Sequence, residues 1–196
     1  MTRVKVNPII ERMSGKLGDL VFKRYGDEVI IVRRPDMRQR TFSPGQLTAQ
    51  ERFRRAAQYG KLALAEPATR AVYVAAAQAK GMPVFALTVA DFFKAPVVDE
   101  LDVSKYTGQA GARIVVLAHD DFEVSGVTVS IKDAGGQVVE SGAATQAPPK
   151  SGRWVYTTTQ AVASLTGVSV TATASDRPGN MGVKTVAGGQ SLVVSR

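Results

Sequence analysis

"GVTVSIKDAGGQVVESG", residues 126–142, decides the fold of the C-terminal half. Val127, Val129 and Ile131 alternate with Thr128, Ser130 and Lys132, the period-two pattern of a strand with one buried face. Asp133-Ala134-Gly135-Gly136 then turns the chain into a second run at 137–142, because glycine tolerates positive φ and Asp binds its own backbone. The same rhythm returns in "ARIVVLA" (112–118), "RWVYTTT" (153–159), "VSVTATA" (168–174) and "GVKTVAG" (182–188). About seven short strands punctuated by turn signals are therefore expected beyond Ala95.

That count and spacing predict an all-β, immunoglobulin-like sandwich over residues 96–196, without the Cys…Trp…Cys spacing of antibody domains. Trp154 and Tyr156 fall on one strand face, where they are expected to fill the core. Upstream, the composition changes across "FFKAPVVDELD" (92–102), and Pro96 marks the expected boundary.

Residues 1–95 read as an α+β domain of one β-hairpin and about three helices. In "LGDLVFKRYGDEVIIVRRP" (17–35), strands are expected at about 20–25 and 28–34, with Gly26-Asp27 as the turn and Pro35 as the stop. Thr48 followed by Glu51 has capping-box spacing and predicts a helix start. Its apolar face would be Phe53, Ala56, Ala57, Leu62 and Leu64, leaving Arg52, Arg54, Arg55 and Lys61 to solvent. Glu66-Pro67 ends this helix; a second, at about 67–79, presents Val72, Tyr73 and Ala76 and stops at Gly81, and "PVFALTVADFF" (83–93) supplies the third.

Hydrophobic content of 44% and charged content of 21% exclude global disorder. No run of about 18 apolar residues occurs, so membrane insertion is not expected. The opening "MTRVKVNPIIERMSGK" is broken by Pro8, Glu11 and Arg12, unlike a Sec-type signal peptide, so synthesis in the cytoplasm is expected, with a virion or extracellular assembly as the destination. The absence of Cys removes disulfides, thiolate metal sites and Cys nucleophiles. The formal charge of +8 is uneven: residues 1–100 carry 17 basic and 10 acidic side chains, residues 101–196 carry 8 and 7. The N-terminal half is the basic one.

Few residues suggest catalysis. His119 beside Asp120 and Asp121 lacks the further His or Cys of a typical zinc site, and neighbours on a strand point to opposite faces. Asp120, Asp121 and Asp176 could converge on Ca²⁺ at one end of the sandwich, but the loops lack a dense acidic pattern. There is no Gly-x-Ser-x-Gly, and "SGKLGD" precedes a strand, whereas a phosphate loop follows one. No catalytic, cofactor or metal residue is assigned.

"SGKLGDLVFKRYGDEVIIVRRP" (14–35), with the Gln and Arg-Phe of the helix that follows, resembles a group of uncharacterised bacterial proteins common in Bacteroidetes; the resemblance covers about 80 residues and implies no activity. "VTVSIKDAGGQVVESG" (127–142) and "VTATASDRPGN" (170–180) look like the Ig-like modules of bacterial surface proteins and phage decoration proteins, which implies a displayed module.

Three roles follow for the partner-binding residues. An assembly arm over residues 1–42 would use Lys16, Leu20, Phe22, Tyr25, Val29, Ile31, Arg33 and Arg34, since an extended apolar hairpin leaves unpaired N–H and C=O groups at its edge for another chain. The expected partner is a second copy, as homo-oligomer or polymer, or another subunit of a virion, tail or filament. The alternative is nucleic acid, held at its phosphates by Lys23, Arg24, Arg38, Arg40, Arg52, Arg54 and Arg55, with Phe22, Tyr25 and Phe42 stacking on bases. Against it, Asp19, Asp27, Glu28, Asp36 and Glu51 interrupt the basic run. A third role, a secreted adhesin or carbohydrate-binding module, relies only on the sandwich and the two aromatics Trp154 and Tyr156.

Overall fold

A computed structural model describes residues 2–3, 14–25, 28–36 and 41–187, with only the backbone described at 2, 3, 25 and 28. The chain is an α+β mixture that divides into two compact units, residues 1–49 and residues 50–196.

The first unit holds β1 (Thr2–Arg3), β2 (Gly15–Leu17), β3 (Leu20–Tyr25) and β4 (Glu28–Arg33) in one antiparallel sheet of order β1-β4-β3-β2. The expected hairpin is therefore its centre, not an open edge. The backbone of β3 is taken by β2 through Gly15↔Phe22 to Leu17↔Leu20, and that of β4 by β1 at Thr2↔Ile31 and Arg3↔Ile30. The cause is a second Gly-Asp turn, Gly18-Asp19, in which Gly18 takes φ 56°, a conformation that favours glycine. The expected turn at Gly26-Asp27 lies outside the described residues.

Helix α1 (Pro44–Ala65) starts four residues before the expected Thr48. The reciprocal cap is Ser43 with Gln46: each side-chain oxygen accepts from the other residue's backbone N–H, at 3.3 and 3.0 Å, and proline is the first helical residue. Thr48 instead returns its hydroxyl to the Pro44 carbonyl, and Glu51 faces Arg54 and Arg55.

In the second unit, Glu66 accepts from the backbone N–H of Ala68 and Thr69 and so caps α2 (Pro67–Lys80), which ends on the left-handed Gly81. Helix α3 (Val84–Phe93) follows. The buried positions of α1 are Ala56, Gly60 and Ala63, while Phe53 and Leu62 of the expected apolar face are exposed. Close packing selects the small residues: a methyl group at 60 would meet Thr88 Oγ1 at 2.5 Å and the Phe85 ring at 3.0 Å, so only glycine lets α1 lie this near α3.

The remaining strands are β5 (Val97–Asp102), β6 (Arg113–His119), β7 (Gly126–Lys132), β8 (Val138–Ala143), β9 (Thr145–Gln146), β10 (Arg153–Thr157), β11 (Ser169–Ser175) and β12 (Met181–Ala187). They form two antiparallel sheets, β5-β6-β10-β9 and β12-β11-β7-β8. One apolar cluster joins them, with Ile114, Val116, Trp154 and Tyr156 from the first and Val127, Val129, Ile131, Val170 and Ala172 from the second. Each fully buried aliphatic contributes about 1.5–3 kcal/mol. The chain passes from one sheet to the other at buried Ala144. Gly142 leaves room for the Tyr156 ring, 2.9 Å from where a Cβ would stand.

At Pro96 the chain changes from helix to strand, and both sides of it lie within the second unit. Tyr73 of α2 stacks on Phe122 of the β6–β7 connection with ring centroids 4.5 Å apart. Asn180 donates its amide hydrogens to the Phe92 and Lys94 carbonyls at 3.3 and 3.1 Å, and Lys80 donates to the Asp121 carbonyl at 2.6 Å. Residues 50–95 are thus packed on the sandwich.

Candidate assembly surface

Cross-strand partners in the first sheet share a face, so register sorts the candidate residues. Leu17, Leu20 and Arg33 align across three strands, as do Gly15, Phe22 and Ile31, with Arg24 beside Val29. The opposite face carries Lys16, Val21 and Val32 in line, then Lys23 beside Ile30. Leu20, Phe22, Val29, Ile31 and Arg33 therefore gather on one face while Lys16 lies on the other; Tyr25 is placed by its backbone opposite Glu28, and Arg34 follows β4. Both faces alternate apolar and basic side chains. Among the described side chains of these strands only Val29 is buried; Phe22 and Ile31 are half-buried.

Leu17 was not singled out from sequence, yet it is the most exposed of these apolar residues, at 63%, with Leu20 at 43%. The two face each other across the Gly18-Asp19 turn, whose Asp19 carbonyl accepts from Arg34 N–H at 2.6 Å. The result is an apolar hairpin tip flanked by Lys16 and Arg33.

The basic residues proposed for phosphate contact scatter. Arg38 and Arg40 lie outside the described residues. Arg52 donates to the Phe93 carbonyl at 3.2 Å, and its guanidinium sits 4.9 Å from the Phe93 ring centre. Arg54 and Arg55 reach Glu51 at 2.5 and 3.1 Å and hold its carboxyl below the usual range. The first helix thus spends its arginines within the chain, and Lys23 and Arg24 lie on opposite faces of β3.

At the end of the sandwich, His119 Nδ1 lies 2.6 Å from Asp99 Oδ2, both side chains about half exposed. Asp120 Oδ2 accepts from the N–H groups of Phe122 and Glu123 at 3.0 Å, while its Oδ1 is buried with no hydrogen-bond partner among the described residues. Asp121 pairs with Lys94, and Asp176 is held by Asn180 at 2.6 and 2.7 Å. The three aspartates considered for Ca²⁺ are thus drawn to separate partners, and among the described residues no group of three or more His, Asp or Glu side chains is arranged to hold a metal ion. His119 separates two clefts. The larger, about 530 Å³, is lined by apolar Val72, Ala76, Phe122 and Val124 and by charged Asp120, Glu123 and Lys150, with Glu123 paired to Arg177 at 2.7 Å. The smaller, about 280 Å³, includes Lys94, Val97 and Asp121. Trp154 and Tyr156 are both buried, so neither offers a ring to a glycan.

A polar chain crosses the helical layer. The Tyr59 and Tyr73 hydroxyls stand 2.8 Å apart, and Tyr73 donates to Asp91. Burial pushes the Asp91 carboxyl up to about 6; Tyr73 opposes the shift, nearby Asp120 and Asp176 reinforce it, and Arg177 counters it.

No known protein-family model matches the chain, and no curated protein is significantly similar to it.

Proposed function

We propose that the chain is a non-enzymatic assembly protein that forms or decorates a larger particle, such as a virion, tail or filament, through its first unit and displays its sandwich. One observation carries this reading. A four-stranded sheet with apolar side chains on both faces fully buries only Val29 among its described side chains, leaves Val21, Phe22, Ile30, Ile31 and Val32 half-buried, and exposes Leu17 and Leu20. A sheet normally covers at least one face with a second layer, and exposed apolar surface of this kind marks interaction sites. With β3 and β4 paired within the chain, the surface left for docking is the two sheet faces and the Leu17–Leu20 tip.

The second unit supports the display role. Its sheets run β5-β6-β10-β9 and β12-β11-β7-β8, a strand order that supports reading the sandwich as immunoglobulin-like. Such a module is a self-contained scaffold, and its function lies in what surfaces it presents.

Size-exclusion chromatography with light scattering, over a wide concentration range, tests the proposal. Mass that rises with concentration, or incorporation into a particle, is the expected result. A strict monomer that joins no particle would falsify it.

A further inference from the structure

We infer that the outer face of the sheet β12-β11-β7-β8 is the contact by which the sandwich pairs with the sandwich of a second copy, face to face about a two-fold axis. The inference goes beyond the assembly reading above, which places docking in the first unit.

The two outer faces of the sandwich differ in charge. Register places Glu100, Asp102, Arg113, His119 and Arg153 on the outside of β5-β6-β10-β9, an ordinary solvated surface. On the other sheet, the positions that alternate with buried Val127, Val129, Ile131, Val170 and Ala172 carry one ionisable side chain, Lys132. The two inner strands present the hydroxyls of Thr128, Ser130, Thr171 and Thr173. At the margins stand Met181 and Val183 of β12 and Val138 of β8, all more than half exposed. Depletion of charge, with methionine and aliphatic side chains left in water, is the composition of an interface centre.

The same features select a second copy as the occupant. A chain of net charge +8 meets its own copy most readily where it carries no charge. Lys132 lies at the end of β7, off both midlines of the face, so neither two-fold axis in the plane of contact sets it on its own copy. Each hydroxyl both donates and accepts, which makes such a face complementary to itself, whereas a face of carboxylates or of ammonium groups is not. Thr171 and Thr185 already share one such bond, at 2.9 Å. Extent agrees. Three strands of seven residues and one of six, about 4.8 Å apart and rising about 3.4 Å per residue, give roughly 450 Å² per copy, about 900 Å² from two before side-chain relief is counted. A specific interface needs about 1,000 Å², so the dimer is expected to be weak and reversible. Contact between identical faces is isologous and closes at two copies.

The experiment uses full-length Thr171→Lys and Thr171→Glu. Ser130→Lys and Ser130→Glu, at the registered neighbour, replace them should circular dichroism show that the first pair fails to fold. Light scattering is read over a wide concentration range for wild type, each variant and a one-to-one mixture of the Lys and Glu forms. Wild type is expected to dimerise, and each variant alone to dimerise at least about tenfold more weakly, because like charges then face each other. The mixture should recover pairing, and added salt should weaken it. Folded variants that associate as wild type does would remove this face from the contact. So would weakened variants whose mixture recovers nothing, since the occupant is then not a second copy. A wild-type chain that forms no dimer but enters a particle overturns this inference and keeps the assembly reading. Dimers sensitive to position 171, with no larger species and no particle, keep the inference and count against the reading of the first unit. A strict monomer that joins no particle removes both.

Discussion

Tyr73 donates its hydroxyl hydrogen to Asp91 within the buried helical layer, and no other donor reaches that carboxyl among the described residues. The folded state therefore favours the protonated acid, whose carboxyl is pushed up to about 6 by burial. Stability from this group is complete below the unfolded carboxyl value and is lost as pH rises through about 6. Asp91→Asn should flatten that dependence. It is expected to raise stability at pH 7.5 by on the order of 2–3 kcal/mol while changing little at pH 4. Urea unfolding of both proteins across pH checks it; parallel curves would show that Asp91 does not govern the slope.

Gly60 and Gly45 lie on the same helix but should respond oppositely to alanine. A Cβ at 45 meets nothing within 4 Å, so Gly45→Ala is expected to stabilise by about 0.4–1 kcal/mol through the unfolded chain. A Cβ at 60 overlaps Thr88 and Phe85, and separating α1 from α3 should cost about 1–3 kcal/mol, outweighing the helix-propensity gain. Chemical denaturation midpoints read both signs.

Glu140 is a buried acid on β8 whose Oε2 accepts from Thr159 N–H, Thr159 hydroxyl and Gln160 N–H, at 2.8, 2.8 and 3.0 Å. Those bonds tie the segment after β10 to the opposite sheet. Glu140→Ala orphans the two backbone donors and is expected to cost about 2–4 kcal/mol. Hydrogen exchange at Thr159 and Gln160 should accelerate; unchanged protection there would sink this account.

His119 and Asp99 form a short pair, but both are about half exposed. Solvent screening leaves such pairs worth about 0–1 kcal/mol. His119→Ala should therefore leave the thermal midpoint nearly unchanged, as differential scanning calorimetry would show. A drop comparable to that of Glu140→Ala would contradict it.

The strands were legible wherever one face is buried against the other sheet, because burial on one side writes alternation into sequence, as in Val127, Val129 and Ile131. β5 was missed for the same reason: its bulge between Val98 and Glu100 places Val98 and Leu101 in the core three positions apart. The face of α1 was misread because close crossing rewards small side chains, so Ala56, Gly60 and Ala63 outrank Phe53 and Leu62. Leu17 escaped notice although Gly18-Asp19 repeats the turn signal read at Gly26-Asp27, since three residues are too few to show a period. The clefts beside His119 join residues from α2 to the loop after β9, a juxtaposition no local pattern carries.

Packing of the helices on the sandwich also sets an order of events during synthesis. Tyr73 emerges from the ribosome well before Phe122, and Phe92 lies 88 residues ahead of Asn180. At roughly 5–20 residues per second, the Tyr73 ring waits for seconds before Phe122 can stack on it, and the Phe92 carbonyl waits longer for its Asn180 donor. Nascent chains are thus most open to sticking together in that interval, before the last strands are made.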